Sequence, residues 1–296
     1  MMNNKLIKKF QKDLFVWYTT YGRHDLPWRH TDDLYHITVS EIMLQQTNVP
    51  KVIEKYTAFL KRFPTWQKLA RARQASVLQQ WQGLGYNRRA LNLHKMAKVI
   101  VKEHNGHVPR DPDILETMPG IGPYTRSAIL VFGCNYDLMA CDVNIDRVIR
   151  RWSGKKKWSE KMAENIAKTF LPHGQARDFH GAMMDFASLI CTKRNAHCLQ
   201  CPFSKICLSY PDPKDDVRLK KKEPGRSEHG KHIPRRIYRG RIIEILRSKK
   251  TDTNTIGSKI KKDWDGRKDK KWLIDILLQL QKEGMITHKN DLWQLK

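Results

Sequence analysis

Three groups of residues carry chemistry in this sequence. The first is Met118-Pro119-Gly120-Ile121-Gly122-Pro123-Tyr124-Thr125. It reads as the end of a helix, a tight Gly-x-Gly turn and a second helix opening at Pro123, which fits a first turn that needs no N–H. Gly120 and Gly122 permit positive φ and leave no Cβ between backbone and ligand. The amides at such a helix start can hold a phosphate. The second group is a pair of carboxylates. Glu41 lies in Ser40-Glu41-Ile42-Met43-Leu44-Gln45-Gln46-Thr47, on or beside a buried helix face, and Asp142 precedes a helix carrying Ile145, Val148 and Ile149. Each also has a plain structural role open to it: Glu41 as a carboxylate near a helix N-terminus, Asp142 as an N-cap. The third group is Cys191, Cys198, Cys201 and Cys207, spaced C-x6-C-x2-C-x5-C. Four thiols so close suit tetrahedral zinc or an iron–sulfur cubane.

These residues need helices to position them. Residues 5–21 repeat Leu6, Ile7, Phe10, Leu14, Phe15, Trp17 and Tyr18 at helical spacing. Gly22 and Leu26-Pro27-Trp28-Arg29 form a loop. Residues 50–105 carry further helical patterns, interrupted by Gly83-Leu84-Gly85-Tyr86-Asn87-Arg88-Arg89, where two glycines, an aromatic and two arginines suit either a DNA-backbone contact or a basic helix–helix turn. The hairpin runs from 112 to 133, and residues 160–190 are again helical. Residues 211–236, rich in Pro, Asp, Lys and Arg, read as a basic linker. Residues 237–296 predict helices near 238–248, 254–263 and 270–284, then two strands around a Lys289–Asp291 turn, the pattern of a winged helix.

Composition narrows the partner. The chain has 296 residues, 56 of them basic and 30 acidic, a net charge of +26. Residues 215–296 alone hold 23 basic and 12 acidic residues. Such an excess points to a polyanion, most simply nucleic acid. A hydrophobic content of 40% allows an ordinary core. No run of 18 apolar residues exists and no apolar signal core opens the chain, so no membrane contact is expected and an intracellular place, in the cytoplasm or nucleoid, is. Six cysteines in such a setting argue for metal or free thiols over disulfides. Cys134 and Cys141 fall outside the spaced set and read as packing thiols.

The order and spacing of these motifs, with Asn92-Leu93-His94-Lys95, Asp142-Val143-Asn144 and Met183-Met184-Asp185, resemble the helix-hairpin-helix DNA glycosylases, most closely the MutY type, over residues 5–208. The resemblance implies a mainly α, two-lobed fold: a glycosylase domain over 1–210, with a helical bundle at 29–134 and a second lobe of 1–28 with 135–210. It implies DNA held between the lobes and a [4Fe-4S] cluster on the four cysteines. It assigns Glu41 as the acid that protonates a leaving adenine, Asp142 as the stabiliser of an oxocarbenium-like transition state and Asn144 as an orienting residue. Tyr86, with Gln45, would wedge into the duplex. Gln46, Arg88, Gly120, Gly122 and Thr125 would contact DNA, and Trp28 and Arg29 would line the base pocket. Tyr124 stands where strand-cutting relatives carry a lysine, so a monofunctional enzyme is expected, because a phenol forms no imine. The expected partner is double-stranded DNA with a mismatched or oxidised pair, bound by a monomer. Tyr124 also suits thymine/uracil mismatch glycosylases, so the base removed stays open between these branches. A noncatalytic iron–sulfur DNA-binding regulator is a third reading, which two retained carboxylates disfavour. Family members usually add a Nudix-like domain that reads 8-oxoguanine. The roughly 80 residues after the cysteines are expected to be a winged helix instead.

Overall fold

The computed structural model describes residues 4–154, 160–213, 223–228 and 230–296. The chain is mainly helical. In order come α1 (Asn4–Tyr21), α2 (Leu34–Leu44), α3 (Val49–Arg62), α4 (Trp66–Arg71), α5 (Gln74–Gln80), α6 (Arg88–Glu103), α7 (Pro112–Glu116), α8 (Pro123–Cys134), α9 (Val143–Ser153), α10 (Glu160–Phe170) and α11 (Ala176–Leu189). A two-stranded sheet of β1 (Gly225–Glu228) and β2 (Lys231–Pro234) follows. Then come α12 (Arg235–Ser248), α13 (Thr253–Ile260), α14 (Lys270–Lys282) and a second sheet of β3 (Ile286–Lys289) and β4 (Leu292–Leu295). No described helix is long and apolar enough to cross a membrane.

The chain divides into two compact units, residues 1–41 with 108–218 and residues 42–107 with 219–296. This differs from lobes of 29–134 and 1–28 with 135–210. The hairpin groups with the cysteine-bearing residues because α8 packs on α11. Its Gly133 also sits under Leu34 and Ile37, where a Cβ would lie 2.2 Å from Leu34 Cδ2.

Unit one is built on the apolar stripe of α1. Ile7, Phe10, Leu14 and Trp17 are buried at spacings of three and four, whereas Leu6 faces outward. Phe10 stacks on Phe203 at 4.4 Å and meets Trp152 and Phe170 edge-on. Each such side chain contributes roughly 1.5–3 kcal/mol on burial. The loop after α1 is tied down by fully buried Asp185. Arg29 donates to it through Nη1 (2.7 Å) and Nη2 (2.9 Å), and Arg23 through its backbone N (2.7 Å) and Nε (2.8 Å). Burial works against the charge on Asp185, but the hydrogen bonds and charges of Arg29 and Arg23 prevail and lower its pKa.

The segment leading into Asp142 is held by a buried histidine. Ala140 N donates to His180 Nε2 at 2.9 Å, which leaves Nδ1 to donate to Ala176 O at 2.7 Å. Acceptance at Nε2 requires a neutral ring. Burial lowers the His180 pKa to about 4. The unfolded chain, near pH 6.5, therefore takes up this proton first, and stability falls as pH drops from about 6.5 to about 4. The loss from this group is expected to reach roughly 3 kcal/mol. Urea midpoints measured between pH 7 and pH 4 should fall less steeply for His180→Gln than for the parent, whatever the variant's absolute stability. Parallel curves would contradict this assignment.

Unit two packs α4 on α6 around Phe59, Phe63 and Trp81. Its C-terminal part buries Tyr238, Ile242, Ile256, Leu273, Ile276 and Leu280 between α12, α13 and α14. β3 and β4 are joined through Asn290 (φ 49°) and Asp291 (φ 57°), the tight left-handed turn that suits Asn and Asp. β1 and β2 fall inside the stretch expected as linker. They are held by polar contacts: Tyr238 OH donates to the buried Glu228 carboxylate at 2.6 Å, and Arg226 pairs with Asp269 and lies over Trp272. The C-terminal part is stitched to residues 74–87. Arg247 Nε donates to Leu78 O (3.2 Å) and its Nη2 to Asn87 Oδ1 (3.0 Å); Gln74 reaches Gly284 O and Gln82 reaches Glu244.

Candidate active site

Unit one brings Glu41, Tyr124 and Asp142 together. Glu41 comes from α2, a run of apolar residues in which Ile37, Val39, Ile42 and Met43 are buried. The residue is 6% exposed. Burial raises its pKa to about 7, the nearby Asp142 charge adds to the rise, and a hydrogen bond with the Tyr124 hydroxyl works against it. The Tyr124 phenol is itself driven well above its usual pKa, by burial first and then by Glu41 and Asp142. It therefore stays protonated and can serve Glu41 as a donor.

Asp142 caps α9, and the cap fixes its carboxylate. Oδ1 accepts from Asn144 N (2.9 Å) and Ile145 N (2.8 Å), while Oδ2 accepts from Asn144 Nδ2 (2.6 Å). The N-cap role and a chemical role thus coexist in one side chain. Asn144 is held in turn: its Oδ1 accepts from Arg147 Nη1 at 2.9 Å. Arg147 also donates to Cys191 O (2.9 Å) and Ala187 O (2.8 Å). Two side chains, Asn144 and Arg147, therefore join Asp142 to the cysteine loop. Sequence reading passed over Arg147. Its signal is an arginine three residues after Asn144 and four before Arg151, one polar line along a helix that is otherwise packed through Ile145, Val148 and Ile149.

The hairpin stands on α7 and α8. Asp111 caps α7 by accepting from Asp113 N and Ile114 N, and Glu116 pairs with Arg126 at 2.6 Å. Gly120 has φ 85°. Gly122 is the N-cap of α8, and a Cβ there would meet nothing within 4 Å, so the backbone is open to a close approach. Thr125, expected as a DNA contact, is only 5% exposed. The helical period turns it inward with Ala128 and Ile129. Arg29, expected in the base pocket, is anchored on Asp185 as described, and Trp28 is half-buried in the short turn Pro27–Arg29.

Cys191, Cys198, Cys201 and Cys207 line one cavity together with Phe10, Arg151 and Phe203. All six cysteines of the chain are free thiols. Burial pushes the Cys201 thiol up to about 12, with its three neighbours adding to the rise. Among the described residues no three His, Cys, Asp or Glu side chains converge as ligands of one ion. Thiols that surround a space suit a multi-iron cluster better than a single zinc, which needs every sulfur about 2.3 Å from one point. N–H donors already face the sulfurs: Arg151 Nη1 lies 3.5 Å from Cys191 Sγ, and Phe203 N lies 3.4 Å from Cys201 Sγ.

In unit two, Gln46 (φ 57°) is exposed just beyond α2, and Tyr86 (φ 45°) is 40% exposed between Gly85 and the start of α6. Gln45 is partly buried, whereas Arg88 is exposed. The half-buried neighbour Arg89 does the structural work. Its Nη1 donates to Ile42 O (2.8 Å), Met43 O (2.9 Å) and Gln45 O, closing the C-terminus of α2. Its Nη2 donates to Thr47 Oγ1 (3.0 Å), Leu84 O (3.0 Å) and Gly85 O (3.2 Å). Burial lowers its pKa to about 10, so it stays charged at neutral pH. Arg89→Ala is expected to cost roughly 3 kcal/mol of stability in urea denaturation, because several carbonyls lose a charged donor at once. A loss below about 1 kcal/mol, the value of one ordinary hydrogen bond, would show that the clamp is not needed.

Comparison with known proteins fits this geometry. A family model described as HhH-GPD superfamily base excision DNA repair protein matches residues 39–173. An adenine DNA glycosylase of Buchnera aphidicola subsp. Baizongia pistaciae is 38% identical over 204 residues, covering 68% of this chain and 58% of the relative's length. A thymine/uracil-DNA glycosylase of Methanothermobacter thermautotrophicus is 31% identical over 212 residues, covering 70% of this chain and 96% of the relative. The solved structure of a thermostable thymine-DNA glycosylase superposes with a TM-score of 0.66 at 31% identity, covering 70% of this chain and 97% of that one. With the hairpin, the paired carboxylates and 96% coverage of the thymine/uracil-DNA glycosylase in hand, the chain belongs to the HhH-GPD superfamily of base excision DNA repair proteins.

Proposed function

We propose that the chain is a monofunctional DNA glycosylase that hydrolyses the N-glycosidic bond of adenine paired with 8-oxoguanine or guanine. The observation that carries this reading is Glu41, raised to about 7 beside Asp142 and partnered by a tyrosine. A carboxyl with that pKa is partly protonated at neutral pH and can act as general acid. Glu41 protonates the departing adenine. The C1′–N9 bond breaks, and Asp142, held by Asn144 and Ile145, faces the positive charge that develops on the sugar. Water adds to C1′ and gives a proton to the Glu41 carboxylate, which leaves an abasic site and restores the acid. Tyr124 offers no amine, so no Schiff base forms and the strand stays intact.

The open Gly-x-Gly turn and α8 start would hold a backbone phosphate, with Gln46 and Arg88 on the DNA and Tyr86, aided by Gln45, filling the gap left by the extruded base. The C-terminal helices and β3–β4 hairpin would act as a winged helix. Cys191, Cys198, Cys201 and Cys207 would hold a [4Fe-4S] cluster, whose contribution when bound is to fix the loop that Arg147 and Arg151 grip. Purified protein is expected to contain about four irons per chain, and Cys201→Ser to lose them. Stoichiometric zinc without iron would overturn this assignment.

A second reading, removal of thymine or uracil opposite guanine, is favoured by the relative of which this chain covers 96%. Labelled duplexes carrying A:8-oxoG, A:G, T:G or U:G decide between them. Breaks at adenine that appear only after alkali support the first reading. Breaks at T:G or U:G alone would establish the second.

A further inference from the structure

Base excision leaves the connection between α13 and α14 without a task. Residues 261–271 read Lys-Lys-Asp-Trp-Asp-Gly-Arg-Lys-Asp-Lys-Lys, six basic residues and three acidic. A run so charged is ordinarily left to solvent with no fixed shape. Here it is built. Asp269 is only 3% exposed; it accepts from Asp265 N (3.1 Å) and pairs with Lys261 Nζ (2.8 Å) and with Arg226 of β1. Asp265 Oδ1 accepts in turn from Arg267 N (2.8 Å) and Lys268 N (3.2 Å). Asp263 takes the same Lys261 Nζ at 3.0 Å. Trp264 packs against Gly257 of α13, where a Cβ would overlap its ring. Each of the three carboxylates is thus matched to a cation or an amide of the fold. The cations that remain face solvent: Lys262, Arg267, Lys270 and Lys271 are exposed, and Lys268, 86% exposed, reaches Asp265 only at 3.9 Å.

Like charges held on an ordered loop repel one another, and a polyanion removes that cost. In a member of a DNA repair superfamily the polyanion at hand is duplex DNA. The helix that follows is unsuited to reading bases. Beyond its first turn α14 exposes Asp275, Leu278, Gln279 and Gln281 before Lys282. A helix laid in the major groove passes between two rows of phosphates, which Asp275 would oppose and Leu278 could not pair. We infer that residues 262–271 are a backbone contact for duplex DNA, which grips phosphates through Lys262, Arg267, Lys268, Lys270 and Lys271 and reads no sequence. This contact belongs to unit two, whereas the hairpin of α7 and α8 belongs to unit one. It requires that the chain meet DNA, not that it excise any particular base.

The salt dependence of binding tests this. The full chain is titrated onto an undamaged duplex of about 40 base pairs at salt concentrations from roughly 50 to 200 mM, with fluorescence anisotropy as the readout. Over that range the parent is expected to lose roughly 10- to 100-fold more affinity than the variant Arg267→Gln/Lys268→Gln/Lys270→Gln/Lys271→Gln, as about two to four phosphate contacts require. The charge-keeping variant Arg267→Lys/Lys268→Arg/Lys270→Arg/Lys271→Arg should follow the parent. Single changes Lys270→Gln and Lys271→Gln, which serve should the fourfold variant fail to fold, should each lower the log–log slope by about one. The parent should also bind undamaged duplexes of unrelated sequence within about threefold of one another, since phosphates carry no sequence. Neutral variants that keep the parent's slope would overturn the inference, as would a loss of affinity equal at every salt concentration. A strong preference for one undamaged sequence would make α14 a reader and overturn it too. The two readings fail separately. A parent that binds with the expected salt dependence, lost in the variants, but excises nothing would sink the glycosylase reading alone. A parent that excises, with variants that keep its slope, would sink the inference alone.

Discussion

Glu41→Gln is expected to lower single-turnover excision by roughly 10³-fold, within the usual 10²–10⁴ range for general acid catalysis, with little change in duplex affinity. The amide keeps the shape of the carboxyl and its contact with Tyr124 but carries no transferable proton. The parent should show the matching pH dependence. Its Glu41 must be protonated to act, so the rate should fall about tenfold per unit as pH rises above about 7. The same residue has a stability signature of the same sense. Its folded pKa lies above the unfolded value near 4.5, so the folded state binds the extra proton between about 4.5 and 7. Stability tied to this group is full below that window and lost as pH rises through it. Glu41→Gln should therefore be more stable than the parent at pH 8, by up to about 3 kcal/mol, and no more stable at pH 4. Urea titration at both values measures this. A variant that loses excision without gaining stability at pH 8 would show that Glu41 is not held in a costly ionised state, which its burial demands.

Asp142→Asn should lower excision by a similar factor, roughly 10³-fold, for an electrostatic reason. The substitution places an amide where the sugar develops positive charge. It also disturbs the cap. Asp142 accepts three N–H bonds through two oxygens, and an asparagine keeps one oxygen as acceptor while its NH₂ opposes the Asn144 amide. Stability should fall by no more than about 1 kcal/mol, since asparagine also caps helices well. Binding of an uncleaved duplex should survive. Excision within tenfold of the parent would remove Asp142 from the mechanism, whereas loss of binding together with excision would make its role structural.

The site was legible in the sequence where chemistry and local structure ask for the same residue. Asp142 is read as an N-cap before Ile145, Val148 and Ile149, and it is one. The Gly-x-Gly turn before Pro123 opens α8. The stripe of α1 announces its buried face through Phe10, Leu14 and Trp17. Illegible features were those fixed by partners far along the chain. Arg29 looks like a free cation until Asp185, 156 residues later, claims it. Arg88 and Arg89 are adjacent and alike in sequence, yet one is solvated and the other closes the end of α2. β1 and β2 lack apolar alternation because Glu228 and Arg226 hold them through polar bonds. Thr125 follows the glycines directly, but the helical period, not proximity to the turn, decides where it faces.

The stacking of Phe10 on Phe203 also has a consequence for how the chain is made. The apolar stripe of α1 must wait for a ring 193 residues downstream (203 − 10) before its core can close. At the usual roughly 5–20 residues per second, that interval is on the order of ten to forty seconds. Trp152, Phe170 and Phe186 emerge within it and can cover part of the stripe, but the face of Phe10 that stacks on Phe203 stays open, while residues 42–107 can already collapse on their own apolar side chains. Part of the apolar face of α1 thus stays exposed during synthesis. The order of emergence makes the cysteine-bearing segment the last piece of its unit, and its arrival is what ends that exposure.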